Sequence, residues 1–168
     1  MKFFNVILFL AVLVLIACDS ESSSASSSPY GDQRYERHAP GSVSWADCYV
    51  YAKGNLFSLV FEQHFGAMGD VTMVSQVEVE SPIVMHEEVT MMGLAASEVS
   101  LDYCNGEKAV YEQALGGTVT CSKSKVVADA VISDPDVDAS DLESARSSAV
   151  FKLSLTCDSY IEDFMSEE

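Results

Sequence analysis

The sequence predicts an α+β domain: an antiparallel sheet of about six strands with two helices on one face, closed by two disulfides. Three observations carry this expectation. From Trp45 to Met92, apolar and polar residues alternate in runs, which is the period of half-buried strands. From Ser140 to Phe164 the apolar period lengthens to that of a helix. Cys48, Cys104, Cys121 and Cys157 lie in the same stretch, an even number as disulfides require.

Trp45–Tyr51, the turn Lys53-Gly54-Asn55 and Leu56–Phe65 read as a hairpin. Phe57, Leu59, Phe61 and Phe65 alternate with Ser58, Glu62 and His64, so one face of the second strand is buried. Gly66 and Gly69 bracket the next turn. Val71–Val79 is a strand whose Val71, Met73, Val77 and Val79 share a face, and Pro82 separates it from a fourth strand over Ile83–Met92.

Ser97–Tyr111 carries two conflicting signals. Leu94, Leu101, Cys104, Tyr111 and Leu115 fall at helical intervals, whereas Asn105-Gly106 is a hairpin dipeptide. The expectation is a helix, started near Ala95-Ala96-Ser97-Glu98 and stopped by Gly116-Gly117. Thr118–Ser122 and Lys125–Ile132 form a second hairpin. An acidic loop, Asp134–Asp138, leads to Ser140-Asp141-Leu142-Glu143, the pattern of a capping box. Leu142, Ala145, Ala149, Leu153, Cys157, Tyr160 and Phe164 then mark a helix, although alternation at Phe151, Leu153, Leu155 and Cys157 leaves a strand open.

Four cysteines allow three pairings. The pairing expected is Cys104 with Cys121, helix to following strand, and Cys48 with Cys157, first strand to last element. The loops of ~15 and ~110 residues correspond to about 3 and 4–5 kcal/mol of stabilisation.

The N-terminus is of a different kind. Met1-Lys2 gives a short positive start, and Phe3 to Ala17 is apolar except for Asn5. Leu15-Ile16-Ala17-Cys18 resembles the lipobox of bacterial lipoproteins, with the small residue a signal peptidase needs before the scissile bond. The resemblance implies that residues 1–17 are removed and that Cys18 carries diacylglycerol. The other readings are an ordinary secretory signal or a short transmembrane anchor, for which the run is brief against ~30 Å of hydrocarbon. Asp19 resembles the residue that retains such proteins in the enterobacterial inner membrane. The expected location is therefore the bacterial cell membrane, with the domain facing the periplasm or the exterior. Residues 18–43, serine-rich from Ser20 to Ser28, are expected to form a flexible tether, and 44–168 a single domain.

Charge narrows the partners. The chain has 9 basic and 26 acidic residues, a net charge of −17. Nucleic acid is excluded, because its binding depends on Lys and Arg neutralising phosphates. Anionic lipid would repel the domain, so the membrane is engaged through the covalent lipid, at about 0.8 kcal/mol per buried CH₂.

The order of four strands, helix, two strands, acidic loop and helix looks like that of the YehR-like lipoproteins, a small bacterial family. Besides the lipobox, the likeness rests on Asp70-Val71-Thr72 and on Tyr111 followed by Gly116-Gly117-Thr118-Val119-Thr120. It implies a fold and no chemistry.

No enzymatic set is recognised, and neither cofactor nor metal is expected. His86-Glu87-Glu88-Val89-Thr90 starts like a zinc-protease motif but has Thr90 where the second histidine must stand. Asp134-Pro135-Asp136-Val137-Asp138 copies the opening of a calcium loop, then has Ala139 at the turn and Ala145 at the closing position. His38 and His64 lack a nucleophile context. Met73, Met85, Met91 and Met92 at strand spacing read as core rather than as copper ligands. The candidate binding residues are Trp45, Tyr49 and Tyr51, on the opposite face of their strand from Ala46, Cys48 and Val50. If Cys48 is bridged to a helix, these aromatics face away from Phe57, Leu59 and Phe61 and are free to meet an envelope protein or a glycan. The competing reading places them in the core. The function expected is a non-enzymatic interaction or structural role, with a glycan- or cell-wall-binding module as the alternative.

Overall fold

A computed structural model describes residues 28–93, 103–133 and 138–166. The expected signal, Cys18, the start of the tether and Asp134–Val137 of the acidic loop lie outside these residues.

The chain forms seven strands in one antiparallel sheet. They are β1 (Asp32–Ala39), β2 (Ser44–Lys53), β3 (Leu56–Phe65), β4 (Asp70–Glu78), β5 (Ile83–Met91), β6 (Thr118–Cys121) and β7 (Lys125–Ile132). The first five run as a meander. The chain then crosses to the edge as β6 and returns as β7 beside β5, giving the order β1-β2-β3-β4-β5-β7-β6. A helical segment, α1, precedes β6: it is α-helical over 103–107 and π-helical over Lys108–Ala114. The C-terminal helix, α2, spans Ala139–Ser166.

The seventh strand corrects both the expected strand number and the expected tether, because β1 falls within residues 18–43. Its sequence, Asp-Gln-Arg-Tyr-Glu-Arg-His-Ala, looks like linker because an edge strand exposes most of its side chains. Tyr35 and Ala39 nevertheless pack into the core, and the Tyr35 hydroxyl donates to Asp158 Oδ1 on α2 at 2.7 Å. An irregularity between Gln33 and Tyr35 shifts the register with β2.

The β2–β3 ladder runs without a break from Ser44↔Phe65 to Lys53↔Leu56. Its two-residue turn uses Gly54 at φ 61, a conformation costly for other residues. Across the sheet, Cys48, Phe61, Met73, Val89, Val126 and Cys121 stand opposite one another in succession. This row crosses the core face. Ala149, Leu153, Cys157, Ile161 and Phe164 of α2 bury against it, with rings meeting at Phe61–Tyr160 (5.2 Å) and Phe65–Phe164 (5.8 Å). The residues whose alternation left a strand open at 149–157 are helical.

The cysteines pair as Cys48–Cys157, with Cα atoms 5.6 Å apart, and Cys104–Cys121, at 6.1 Å. The capping box lies two residues earlier than expected. Asp138 Oδ1 accepts the amides of Ser140 (2.7 Å) and Asp141 (3.0 Å), and Asp141 Oδ2 accepts the amide of Asp138 (3.2 Å). Asp serves here because a carboxylate accepts two orphan amides at once. The Ser140 hydroxyl, which also donates to Asp138 Oδ1 at 2.7 Å, and then the amides of Asp141 and Ser140 hold the Asp138 carboxyl below its ordinary range. Glu143, the expected box partner, instead lies 3.7 Å from Arg146. In the ambiguous segment, Asn105 and Gly106 are helical and not a turn; residues 97–102 lie outside the description.

Candidate functional site

Two sites emerge from the sheet, one on each face. On the face turned away from Phe57, Leu59 and Phe61, β2 presents Trp45, Asp47, Tyr49 and Tyr51. Strand alternation requires this once Cys48 and Val50 are buried. The rings are half-buried, and they form two groups. Trp45 stacks on His64 of β3 at 5.6 Å with 17° between planes. Tyr30, Tyr51, Tyr49 and His38 form a continuous line, with centroid spacings of 5.7, 6.2 and 5.9 Å. The Tyr49 hydroxyl donates to Asp47 Oδ2 at 3.3 Å. Burial, and then the Asp47 carboxylate, push the Tyr49 phenol up to about 12, so it remains a neutral donor.

Carboxylates border this line of rings. Glu36 of β1 stands across from Tyr49, and Glu62 of β3 stands across from Asp47. All three histidines are on the same face, each with an aspartate on the neighbouring strand. Nδ1 lies 2.7 Å from Asp47 in His38, 2.6 Å from Asp70 in His64 and 2.7 Å from Asp129 in His86. None is joined to a nucleophile. Among the described residues, no group of three or more His, Cys, Asp or Glu side chains is placed to hold a metal ion. Met73 and Met91 are buried in the core, Met85 packs against it and Met92 is exposed.

The second site lies inside, on the core face, and involves residues that the sequence pattern did not single out. In the core row Val50, Leu59, Ser75, Glu87, Ala128 and Val119, two polar residues stand opposite each other. Glu87 Oε2 accepts the Ser75 hydroxyl at 3.0 Å, and Oε1 accepts the Tyr103 hydroxyl from α1 at 2.5 Å. Burial pushes the Glu87 carboxyl above the usual carboxylate range, against the pull of these two donors. One turn along α1, Glu107 is pushed up to about 7 by burial first and by Glu87 second. Burial and the two carboxylates hold the phenols of Tyr103, Tyr111 and Tyr160 well above their ordinary value, so they stay protonated.

A usable signal was present in the sequence. Ser75 interrupts Val71, Met73, Val77 and Val79, and Glu87 interrupts Met85, Val89 and Met91, both at core parity. Two interruptions on adjacent strands mark a buried polar pair. The cluster ties α1 to the sheet, alongside Cys104–Cys121. Tyr103→Phe removes a donor from a buried carboxylate, and a hydrogen bond to a charged group is worth about 1.5–3 kcal/mol. The expected loss of unfolding free energy at pH 8 is of that size, and it shrinks toward pH 5, because a carboxyl raised by burial takes up its proton more readily as pH falls. Urea unfolding at both pH values checks it; equal losses at the two would refute the carboxylate's role.

Exposed apolar residues occur elsewhere. Phe151 and Leu155, one turn apart on α2, are 59% and 52% exposed. Comparison with protein-family models, with curated proteins and with solved structures finds no match to this chain.

Proposed function

We propose that the protein is a lipid-anchored lipoprotein of the bacterial cell envelope, whose folded domain has a non-enzymatic interaction or structural role. The observation that carries this reading is the outer sheet face. A sheet braced by two disulfides presents Trp45, Tyr49 and Tyr51 opposite its core, and rigid aromatic side chains lose little entropy on binding. Both helices cover the other face on this reading. Cys48, bridged to α2, and Cys121, bridged to α1, stand at the two ends of one cross-strand row. The anchor rests on Leu15-Ile16-Ala17-Cys18, and the attachment passes through residues 18–27 to Ser28. The likeness to the YehR-like lipoproteins points the same way. A glycan-binding module is the second reading, favoured by the half-buried rings of Tyr49 and Tyr51, which offer stacking surfaces to sugars.

The anchor is tested with Cys18→Ser. That variant is expected to lose incorporation of labelled fatty acid completely and to leave the membrane fraction or persist as uncleaved precursor. Labelling that survives the substitution would overturn the anchor. The interaction role is tested by photo-crosslinking in cells from positions on the outer face and on α2, such as 51 and 155. A recurrent adduct supports it, and no adduct from any position would refute it.

A further inference from the structure

We propose that the outer sheet face around Tyr49, Tyr51 and Glu62 docks a cationic segment of a partner protein, with an arginine or lysine head seated on the rings between the carboxylates. This rests on the interaction role proposed above and names the chemistry of the partner.

The first argument is an unmatched charge. Asp47 and Glu62 stand directly across from each other on β2 and β3, and like charges in that position destabilise a sheet. Asp47 lies 2.7 Å from His38 Nδ1 on its other side and accepts the Tyr49 hydroxyl. Glu62 is half-buried and has no ion-pair or hydrogen-bond partner among the described residues. A cation arriving from solvent at this position would meet both carboxylates.

The second argument is the line of rings beside them. Tyr30, Tyr51, Tyr49 and His38 extend over the same patch, and Glu36, with a side chain 55% exposed, borders Tyr49 on β1. An aromatic face attracts a guanidinium or ammonium more strongly when it is partly desolvated and when carboxylates stand at its rim. On this face of the sheet, Lys125 Nζ lies 2.6 Å from Glu88; Arg34 of β1 lies 3.4 Å from Asp32, while Lys53 is exposed at the far end of β2, beyond Tyr51 and away from Glu62.

The third argument is the field of the chain. A net charge of −17 steers cations toward the domain and repels anionic polymers. Sugar hydroxyls can donate to carboxylates, but a neutral glycan leaves their charge unmatched, so the charge pattern favours a basic protein segment over a sugar.

The test uses the full chain in non-ionic detergent with a fluorescent hexa-arginine peptide, hexa-glutamate and chitotetraose as probes. Hexa-arginine is expected to bind. Glu62→Gln and Tyr49→Ala are each expected to weaken it about fivefold, as a partly desolvated cation–π contact implies. Tyr49→Phe, which keeps the ring, should retain binding. Glu162→Gln, the same charge change on the exposed side of α2, should leave it unaltered. If Glu162→Gln weakens binding as much as Glu62→Gln, the peptide is held by net charge alone and the proposal falls. Chitotetraose binding that depends on Tyr49, with no hexa-arginine binding, would also overturn it and favour the glycan reading. Failure of all probes to bind overturns it as well. Photo-crosslinking in cells separates the two levels. Adducts from position 155 but none from 51 sink this proposal and leave the interaction role standing. No adducts anywhere sink both.

Discussion

Replacing both Cys48 and Cys157 with alanine is expected to lower the unfolding free energy by about 4–5 kcal/mol, the largest effect of any paired substitution in the fold. The bridge joins residues separated by 109 positions, so in the unfolded chain it removes the freedom of a loop spanning nearly the whole domain. Both cysteines are fully buried between β2 and α2, and alanine leaves two small voids there in addition. Against a typical total of about 5–15 kcal/mol for a domain, this is a large share. The melting temperature should fall by about 15 °C. The matching pair Cys104→Ala and Cys121→Ala closes a loop of only 17 positions and should cost about 3 kcal/mol. Urea unfolding of the two double variants, with each protein's slope measured, checks the ranking. Equal losses, or a larger loss for the shorter loop, would show that strain or residual structure outweighs loop entropy here.

What could be read from the sequence followed from how strongly each segment is apolar on its core face, although Ser58 and Val60 on the other face of β3 are buried as well. β2 to β5 were legible because Phe57, Leu59 and Phe61 on β3, and Met73 and Val77 on β4, fill one side with little ambiguity. The placement of Trp45, Tyr49 and Tyr51 followed from Cys48 alone, since one buried residue fixes the parity of an unbulged strand. β1 was not legible, because an edge strand held by Tyr35, Ala39 and backbone pairing carries almost no periodic signal. Asn105-Gly106 argues for a hairpin, yet the expected helix is present over the described residues 103–114. A turn dipeptide states a local preference, and the Tyr103 and Cys104 contacts to the sheet override it. The N-cap was displaced for a related reason. Ser140-x-x-Glu143 and Asp138-x-x-Asp141 overlap, and only the neighbouring geometry decides which amides are reached. The Glu87 cluster is hidden from apolar alternation, because a polar residue at core parity reads as a break in the pattern and not as a member of the core.

The stability of the domain is expected to fall as pH rises from 5 to 8, with Glu107 and Glu87 as the cause. Glu107 has an ordinary value near 4.5 and is raised to about 7 in the fold. The protonated form is therefore the one the folded state favours. Its contribution is fully present below the unfolded value and is lost as pH rises through the folded one. A rise from 4.5 to about 7 corresponds to at most about 3 kcal/mol, and water reaching the half-buried side chain reduces this to about 1–2 kcal/mol. Glu87 shifts in the same direction, because its core position disfavours the charged form more than Tyr103, Ser75 and His86 favour it. The two carboxyls also act on each other, so ionising one makes the second harder to ionise. Urea midpoints at pH 5, 6, 7 and 8 should decline through this window in the native chain. Glu107→Gln should be flatter, and Glu87→Gln with Glu107→Gln should lose most of the slope, because a neutral amide has no proton to release. The direction is opposite to that of salt-bridged carboxylates, whose stabilisation disappears in acid. A native chain that gains stability between pH 5 and 8, or a double variant that keeps the full slope, would show that the buried pair does not govern the response.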